Sequence, residues 1–279
     1  MPHKTRIFGG TMEYFAPATP KEAESLKKRT GRGGVYLAGG TILNWKRSPK
    51  ADVLIDLKNL KLDYMRVSGS RITLGAMTTI QELAENERLP DALLAAAGNF
   101  TSRNVRNMAT IGGSVAGRFF VSDTLPVLLA FRARAEFFLN GSKNTLPVEE
   151  WLRSRPGLLC SIIIDRPGRQ VKVRQERISA IDFPMLVTAV GFDAASGRIE
   201  EPVVAISGAS ARTQVLRSAA TYLEGGSLKS VSHAELNRLV QKEILLTDNL
   251  KASAAVKRRF IESHVKTMLN EWKRETRTR

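Results

Sequence analysis

The sequence predicts an α+β protein, on three observations. Apolar runs of strand length recur through the first two thirds of the chain. Helical patterns with capping signals collect toward its C-terminal end, the order expected when helices cover one face of a sheet. The 279 residues are 43% hydrophobic and 25% charged, which is enough apolar material for a large core. No run approaches the ~20 consecutive apolar residues of a membrane helix, so no spanning segment is expected.

The first stretch runs from about Met12 to Leu60. Thr19 can cap a helix, Pro20 suits its first turn, and Glu22 closes a capping box; the helix should stop near Gly31. Val35 to Ala38 reads as a buried strand ending at Gly39-Gly40, and Val53 to Leu57 as a second, giving a small β-α-β-β unit. In the second stretch, to Asp165, Arg71 to Leu74 alternates like a half-buried strand, and Thr79-x-x-Glu82 is another capping box. Asp91 to Ala97 reads as a helix closed by Gly98-Asn99. Thr110 to Gly117 reads as a glycine-rich segment, and Ser122-Asp123 as the cap of a helix through Phe131. Asn140-Gly141 centres a hairpin from Glu136 to Leu146, and Leu158 to Ile164 is an apolar strand.

Asp165-Arg166-Pro167-Gly168 is a turn and the candidate domain boundary. Beyond it, Val171 to Arg174, Leu186 to Val190 and Val203 to Ile206 read as strands of a second sheet. Three helices should follow, beginning near Arg212, at Ser232 with Glu235 completing its box, and on a stripe of Val256, Phe260, Ile261, Val265, Met268, Leu269 and Trp272.

The charge is lopsided: 43 Lys+Arg against 27 Asp+Glu gives +16. An anionic partner or a merely basic solvated surface would both produce it. The cations are spread along the chain, aromatics are only 6%, and no RNA-recognition or zinc-finger pattern accompanies them, which weighs against nucleic acid. Cys160 is the sole cysteine, so an internal disulfide and any Cys-built iron–sulfur or zinc site are excluded. It lies in an apolar run and reads as a buried small hydrophobe. His3, His233 and His264 lack metal-ligand spacing. No signal-peptide pattern follows Met1, so a reducing cytoplasm is expected.

Two glycine segments carry the chemistry. Leu37-Ala38-Gly39-Gly40-Thr41 sets a glycine pair at a strand end, where backbone N–H groups can approach an anion and Thr41 adds a hydroxyl. Arg106-Asn107-Met108-Ala109-Thr110-Ile111-Gly112-Gly113-Ser114 repeats the combination beside a cation. Neither has P-loop or Rossmann spacing, and each alone is equally an ordinary tight turn. Together they could hold one diphosphate with neutral donors. Trp45, after the first segment, could cover a ligand or simply pack.

Here the chain resembles the FAD-binding medium subunit of the molybdenum hydroxylases, the xanthine dehydrogenase and carbon monoxide dehydrogenase type. Five ordered blocks carry the resemblance: Tyr14-Phe15-Ala16-Pro17 through Ala38-Gly39-Gly40-Thr41, Leu54-Ile55-Asp56-Leu57, Gly75-Ala76-Met77-Thr78-Thr79, Arg106 to Gly113, and Ser122-Asp123-Thr124-Leu125-Pro126. Departures are Ile42 where Asp is usual, Ser114 where Asn is usual, and a bulky Arg118-Phe119-Phe120. The resemblance is looser beyond Asp165.

The resemblance implies a two-lobed FAD-binding domain of the vanillyl-alcohol-oxidase-like type over residues 1–168, with lobes of about 1–60 and 61–168. A smaller C-terminal domain of sheet and helices would occupy 169–279. Leu37, Ala38, Gly39, Gly40, Thr41 and Ile42, with Ala109, Thr110, Gly112, Gly113 and Ser114, would wrap the FAD pyrophosphate. Asp123 would hold a sugar hydroxyl, Leu159 would line the flavin or adenine pocket, and Arg174 would lie near the flavin ring. The implied function is electron transfer within an oxidoreductase complex, from a 2Fe-2S subunit through FAD to NAD or another acceptor. Molybdopterin would sit on a large partner subunit. A flavin-free assembly subunit and a basic nucleic-acid-binding protein are the alternatives.

Overall fold

The computed structural model describes residues 3–7, 10–43, 52–117 and 119–278. Trp45 and Arg118 lie outside the described residues. The chain divides into two compact units, each assembled from three segments. The first comprises Met1–Glu82, Arg103–Ala116 and Arg134–Ile163; the second comprises Leu83–Ser102, Gly117–Ala133 and Ile164–Arg279.

The first unit opens with β1 (His3–Ile7), β2 (Gly10–Phe15), α1 (Pro20–Thr30), β3 (Gly34–Leu37) and β4 (Val53–Asp56). These strands form one sheet in the order β1-β2-β4-β3. β1 is antiparallel to β2, whereas β2 and β3 both run parallel to β4. The expected β-α-β-β unit is present, and β1 is an addition the sequence did not announce. α1 begins where its capping box requires: Thr19 Oγ1 accepts from Glu22 N at 3.2 Å, and Glu22 Oε2 accepts from Ala18 N at 2.9 Å. It ends on Gly31, at φ +54°, a value glycine adopts without strain.

The second sheet of this unit draws on β5 (Met65–Val67), β6 (Ile72–Gly75), β7 (Arg134–Leu139), β8 (Ser142–Pro147) and β9 (Leu158–Ile164), in the order β5-β6-β9-β7-β8. The hairpin of β7 and β8 turns on Asn140 and Gly141 at φ +52° and +80°, both positive as a type I′ turn demands. Buried Glu24 of α1 accepts from both turn N–H groups, at 2.6 and 3.2 Å. Ala23, Val53, Ile55, Leu57, Leu158 and Cys160 meet in one apolar cluster. Cys160 is buried, and burial pushes its thiol up to about 11, as an inert packing residue requires.

Short helices connect these strands: α2 (Ile80–Ala84), α3 (Asp91–Gly98), α4 (Arg103–Arg106), α5 (Ile111–Ala116), α6 (Leu125–Ala130) and α7 (Val148–Ser154). The Thr79/Glu82 box closes in both directions, at 2.7 and 3.2 Å. α5 corrects the sequence reading, because the second glycine segment is a helical turn from Ile111 onward rather than a loop. α6 starts later than expected. Thr124 stands at the cap position but its side chain does not cap the helix, while Ser122 Oγ accepts from Leu125 N at 3.1 Å.

In the second unit, β10 (Gln170–Glu176), β11 (Leu186–Ala195), β12 (Arg198–Ser207) and β13 (Gln214–Val215) form an antiparallel sheet in sequence order. α8 (Arg217–Leu223), α9 (His233–Glu243) and α10 (Ala254–Thr278) follow. α8 begins at Arg217 rather than near Arg212, because β13 occupies Gln214–Val215. Phe192, Val204, Ile206, Leu236, Val240, Ile261, Val265, Met268 and Trp272 fill a shared core. The expected stripe on α10 holds except at Val256, which is 41% exposed; Lys257 is the enclosed neighbour instead.

Candidate functional site

The blocks of sequence that looked like separate motifs are, in the first unit, one construction. β3 ends at Leu37, whose carbonyl accepts from Leu57 N at 2.9 Å. That bond ties the Leu54–Leu57 block to the start of the first glycine segment. Asp56 accepts from Tyr14 Oη at 2.5 Å and from Lys58 N at 2.9 Å, which brings the Tyr14 block to the same strand end. The Gly75 to Thr79 block holds the second segment. Ala76 O accepts from Gly112 N, and Thr78 O accepts from Ile111 N, both at 2.9 Å; Ala109 O accepts from Ile80 N at 2.8 Å.

The two glycine segments touch. A Cβ added to Gly39 would stand 1.6 Å from the carbonyl oxygen of Met108, so only glycine allows this approach. Gly112 is similarly pressed on Ala76, whose oxygen would be 2.5 Å from an added Cβ. Gly113 differs: among the described residues its added Cβ would meet only Thr110 Oγ1, at 3.1 Å. The segments also differ in their donors. Ile111, Gly112, Gly113 and Ser114 spend their N–H groups on Thr78 O, Ala76 O, Thr110 Oγ1 and Thr110 O. Among the described residues, the N–H groups of Gly39, Gly40, Thr41 and Ile42 reach no protein acceptor. The first segment therefore offers donors, and the second offers a close, glycine-lined surface beside it. This pairing fits an extended anionic ligand such as a dinucleotide pyrophosphate.

Three sequence candidates lie outside the glycine segments. Leu159 lies in the first unit, on β9 opposite Phe137, and is buried. Asp123 and Arg174 belong to the second unit. Asp123 is 1% exposed, and its Oδ1 accepts from Gln175 Nε2 at 2.6 Å and Arg177 Nη2 at 2.5 Å. Burial raises its carboxyl to about 6, against the pull of Arg177. Arg174 is paired with Glu271 of α10, and its Nη1 donates to Val173 O at 2.9 Å. Neither arrangement was legible from sequence, since Gln175, Arg177 and Glu271 carry no motif. The carbonyls of Ala76 and Thr78, which fix the second segment, were legible only as the Gly75-Ala76-Met77-Thr78-Thr79 block. Among the described residues no three His, Cys, Asp or Glu side chains stand close enough to hold a metal, and no helix is long and apolar enough to cross a membrane.

Comparison with known proteins accords with this construction. A protein of Escherichia coli K12 described as uncharacterized protein YgfM is 32% identical over 250 residues, covering 88% of this chain and 90% of that one. The nicotinate dehydrogenase FAD-subunit of Eubacterium barkeri is 33% identical over 180 residues, 56% of this chain and 58% of its own. Among solved structures, a carbon monoxide dehydrogenase from Hydrogenophaga pseudoflava superimposes with a TM-score of 0.84 at 21% identity, covering 97% of each chain. Quinoline 2-oxidoreductase from Pseudomonas putida 86 gives 0.80 at 16% identity, covering 93% and 96%. These two establish the shared fold. Residues 10–165, which span both glycine segments and their scaffolding blocks, match the FAD binding domain in molybdopterin dehydrogenase, and the chain belongs to that family.

Proposed function

We propose that this chain is the flavoprotein subunit of a molybdenum hydroxylase-type oxidoreductase, passing electrons from an iron–sulfur subunit through FAD to NAD or another acceptor. One observation carries the reading: two glycine segments in contact, one whose N–H groups reach no protein acceptor among the described residues and the other with an open glycine surface at Gly113. Leu37 to Ile42 would donate to the pyrophosphate, and Ala109 to Ser114 would let it approach the backbone. Bound FAD would supply the two-electron and one-electron redox chemistry; the chain binds, orients and shields it. Leu159 supports the site from within β9. For Asp123 and Arg174 we keep the roles the family resemblance implies, a sugar hydroxyl and the flavin ring; within the second unit they pair with Arg177 and Glu271. The boundary between cofactor-binding and C-terminal functions we keep at Gly168, supported by a family match that stops at 165.

The test is reconstitution of the purified chain with equal FAD and FMN, read by flavin absorption after desalting. The reading expects FAD to be retained in preference to FMN, because only FAD carries the diphosphate. Equal retention would remove the pyrophosphate argument. Retention of neither would favour a flavin-free assembly subunit, in which Ile42 and Ser114 mark the lost contacts.

A further inference from the structure

Beside α1 the first unit carries a groove of about 810 Å³ that uses none of the residues assigned to the dinucleotide's two glycine segments. One wall is the exit of β2, Tyr14 to Pro17; the other is the face of α1 bearing Glu22, Ser25, Leu26 and Arg29. These positions follow helical spacing, i, i+3, i+4 and i+7, so they share one side of the helix. Phe15 and Leu26 also pack on the unit's core, which makes them a rigid apolar floor.

The rim carries two cations, Lys21 and Arg29. Glu22 is the carboxylate in the lining, and its Oε2 is engaged by Ala18 N at 2.9 Å. Among the described residues, Lys21 and Arg29 make no ion pair. The other basic groups of α1 are spent: Lys27 on the carbonyls of Gly31 and Gly34, Lys28 on Glu24 and Asn140. The Arg29 guanidinium lies over the Phe15 ring, 5.6 Å from its centroid. A guanidinium stacked on an aromatic ring is preorganised, with its N–H edge available for bidentate bonding to a carboxylate. The groove thus combines an apolar floor, an ordered carboxylate receptor and a second cation at Lys21.

We infer that this groove is a docking site for an extended acidic peptide segment of a partner protein, one that sets an aromatic or aliphatic side chain on Phe15 and Leu26 and presents flanking carboxylates to Arg29 and Lys21. Charge complementarity selects this occupant. The lining carries Lys21 and Arg29 against one carboxylate, Glu22, which already accepts from Ala18 N, so it would draw in an acidic segment and repel a basic one.

The experiment is selection of a random phage-displayed octapeptide library on the immobilised full chain, followed by anisotropy titration of the enriched peptides in solution. Two variants serve as controls: Lys21→Gln/Arg29→Gln, which removes the charge, and Ser25→Trp, which fills the groove without changing charge. Enriched peptides should carry at least two carboxylates around an aromatic or aliphatic residue. Their affinity should fall tenfold or more in both variants, while circular dichroism and retained flavin stay as in the parent chain. No enrichment over the Ser25→Trp protein, or enriched peptides indifferent to both variants, overturns the proposal. Binding of anionic phosphatidylserine vesicles in place of any peptide, lost in the charge variant, would also overturn it and assign the rim to a lipid surface. Because the variants leave the glycine segments intact, flavin retention reports on the cofactor reading separately.

Discussion

Single residues in this protein take their meaning from what touches them, and two pairs show it. Gly39 and Gly113 look alike in sequence, yet one is packed on Met108 and the other is open. Gly39→Ala should therefore lower stability by about 1–3 kcal/mol in urea unfolding, since a Cβ cannot fit against backbone. Gly113→Val should keep the folded circular dichroism spectrum and lose bound flavin, because its side chain would project where a phosphate approaches. Simultaneous loss of fold and flavin in Gly113→Val would contradict that assignment. The second pair is His264 and Asp123. His264 bonds Thr188 Oγ1 and Glu176 Oε1, both at 3.0 Å, and burial lowers its pKa below the usual 6.5. Its stabilising effect is present above 6.5 and is lost as pH falls, because the unfolded chain binds the proton more readily. Asp123 works oppositely: with its folded pKa raised from 3.8 to about 6, its contribution is present at low pH and lost as pH rises through about 6. Between neutral and mildly acid pH the two offset. Urea midpoints measured from neutral to mildly acid pH should rise toward acid, relative to the parent, in His264→Gln and fall in Asp123→Asn, each proton contributing at most ~1.4 kcal/mol per pH unit. Parallel profiles in the two variants would refute the assignment. Residue types were legible in the sequence, but these roles were not: Asp123 announced a charge, not the Gln175 and Arg177 that enclose it.

Elements were legible where their signals are local. The caps of α1, α2 and α9 and the Asn140-Gly141 hairpin each lie within four residues of chain, and each formed where the sequence placed it. Elements without a local capping or turn motif were missed. β1 is a strand because it pairs with the next strand, β2, and α5 is helical because Ala76 and Thr78 accept its first N–H groups, despite two glycines that disfavour a helix. α10 illustrates an error of phase. Its inward positions run 257, 261, 264, 265, 268, 269 and 272, a regular stripe, but the apolar identity of Val256 suggested a start one residue early. Lys257 takes the inward place, fully enclosed, with Nζ donating to Thr247 O at 2.8 Å and its pKa lowered by burial. Lys257→Met, which keeps the volume and removes the buried charge, should be neutral or stabilising by up to about 2 kcal/mol. Lys257→Ala should cost about 2 kcal/mol or more, through the cavity. Thermal unfolding of both variants decides between burial cost and a stabilising lysine bond.

At the scale of the whole molecule, the fold class and the family were legible because five ordered motif blocks span more than a hundred residues. The net charge of +16 adds a long-range attraction for acidic surfaces that no single residue carries. If the chain works beside iron–sulfur and molybdenum subunits, it should be recovered from its native host with two other chains at low ionic strength. That association should weaken as salt rises, because exposed charges are screened over ~10 Å at 0.1 M. Recovery of the folded protein alone at low salt would remove the support for a three-subunit assembly.

The division of the chain into interleaved segments bears on how it is made. The peptide passes between the two compact units five times, at residues 82, 102, 116, 133 and 163. During synthesis the first unit has all its pieces once residue 163 emerges, but Leu83–Ser102 and Gly117–Ala133 must then wait for 116 further residues before their own unit can close. Those waiting segments include α3 and α6, whose Leu93, Val127, Leu128 and Ala130 are fully enclosed in the finished protein. Left exposed on a nascent chain, they are natural substrates for a holdase chaperone. A fragment cut at Gly168 would keep that exposure permanently, and it should aggregate even though it contains every residue of the family match.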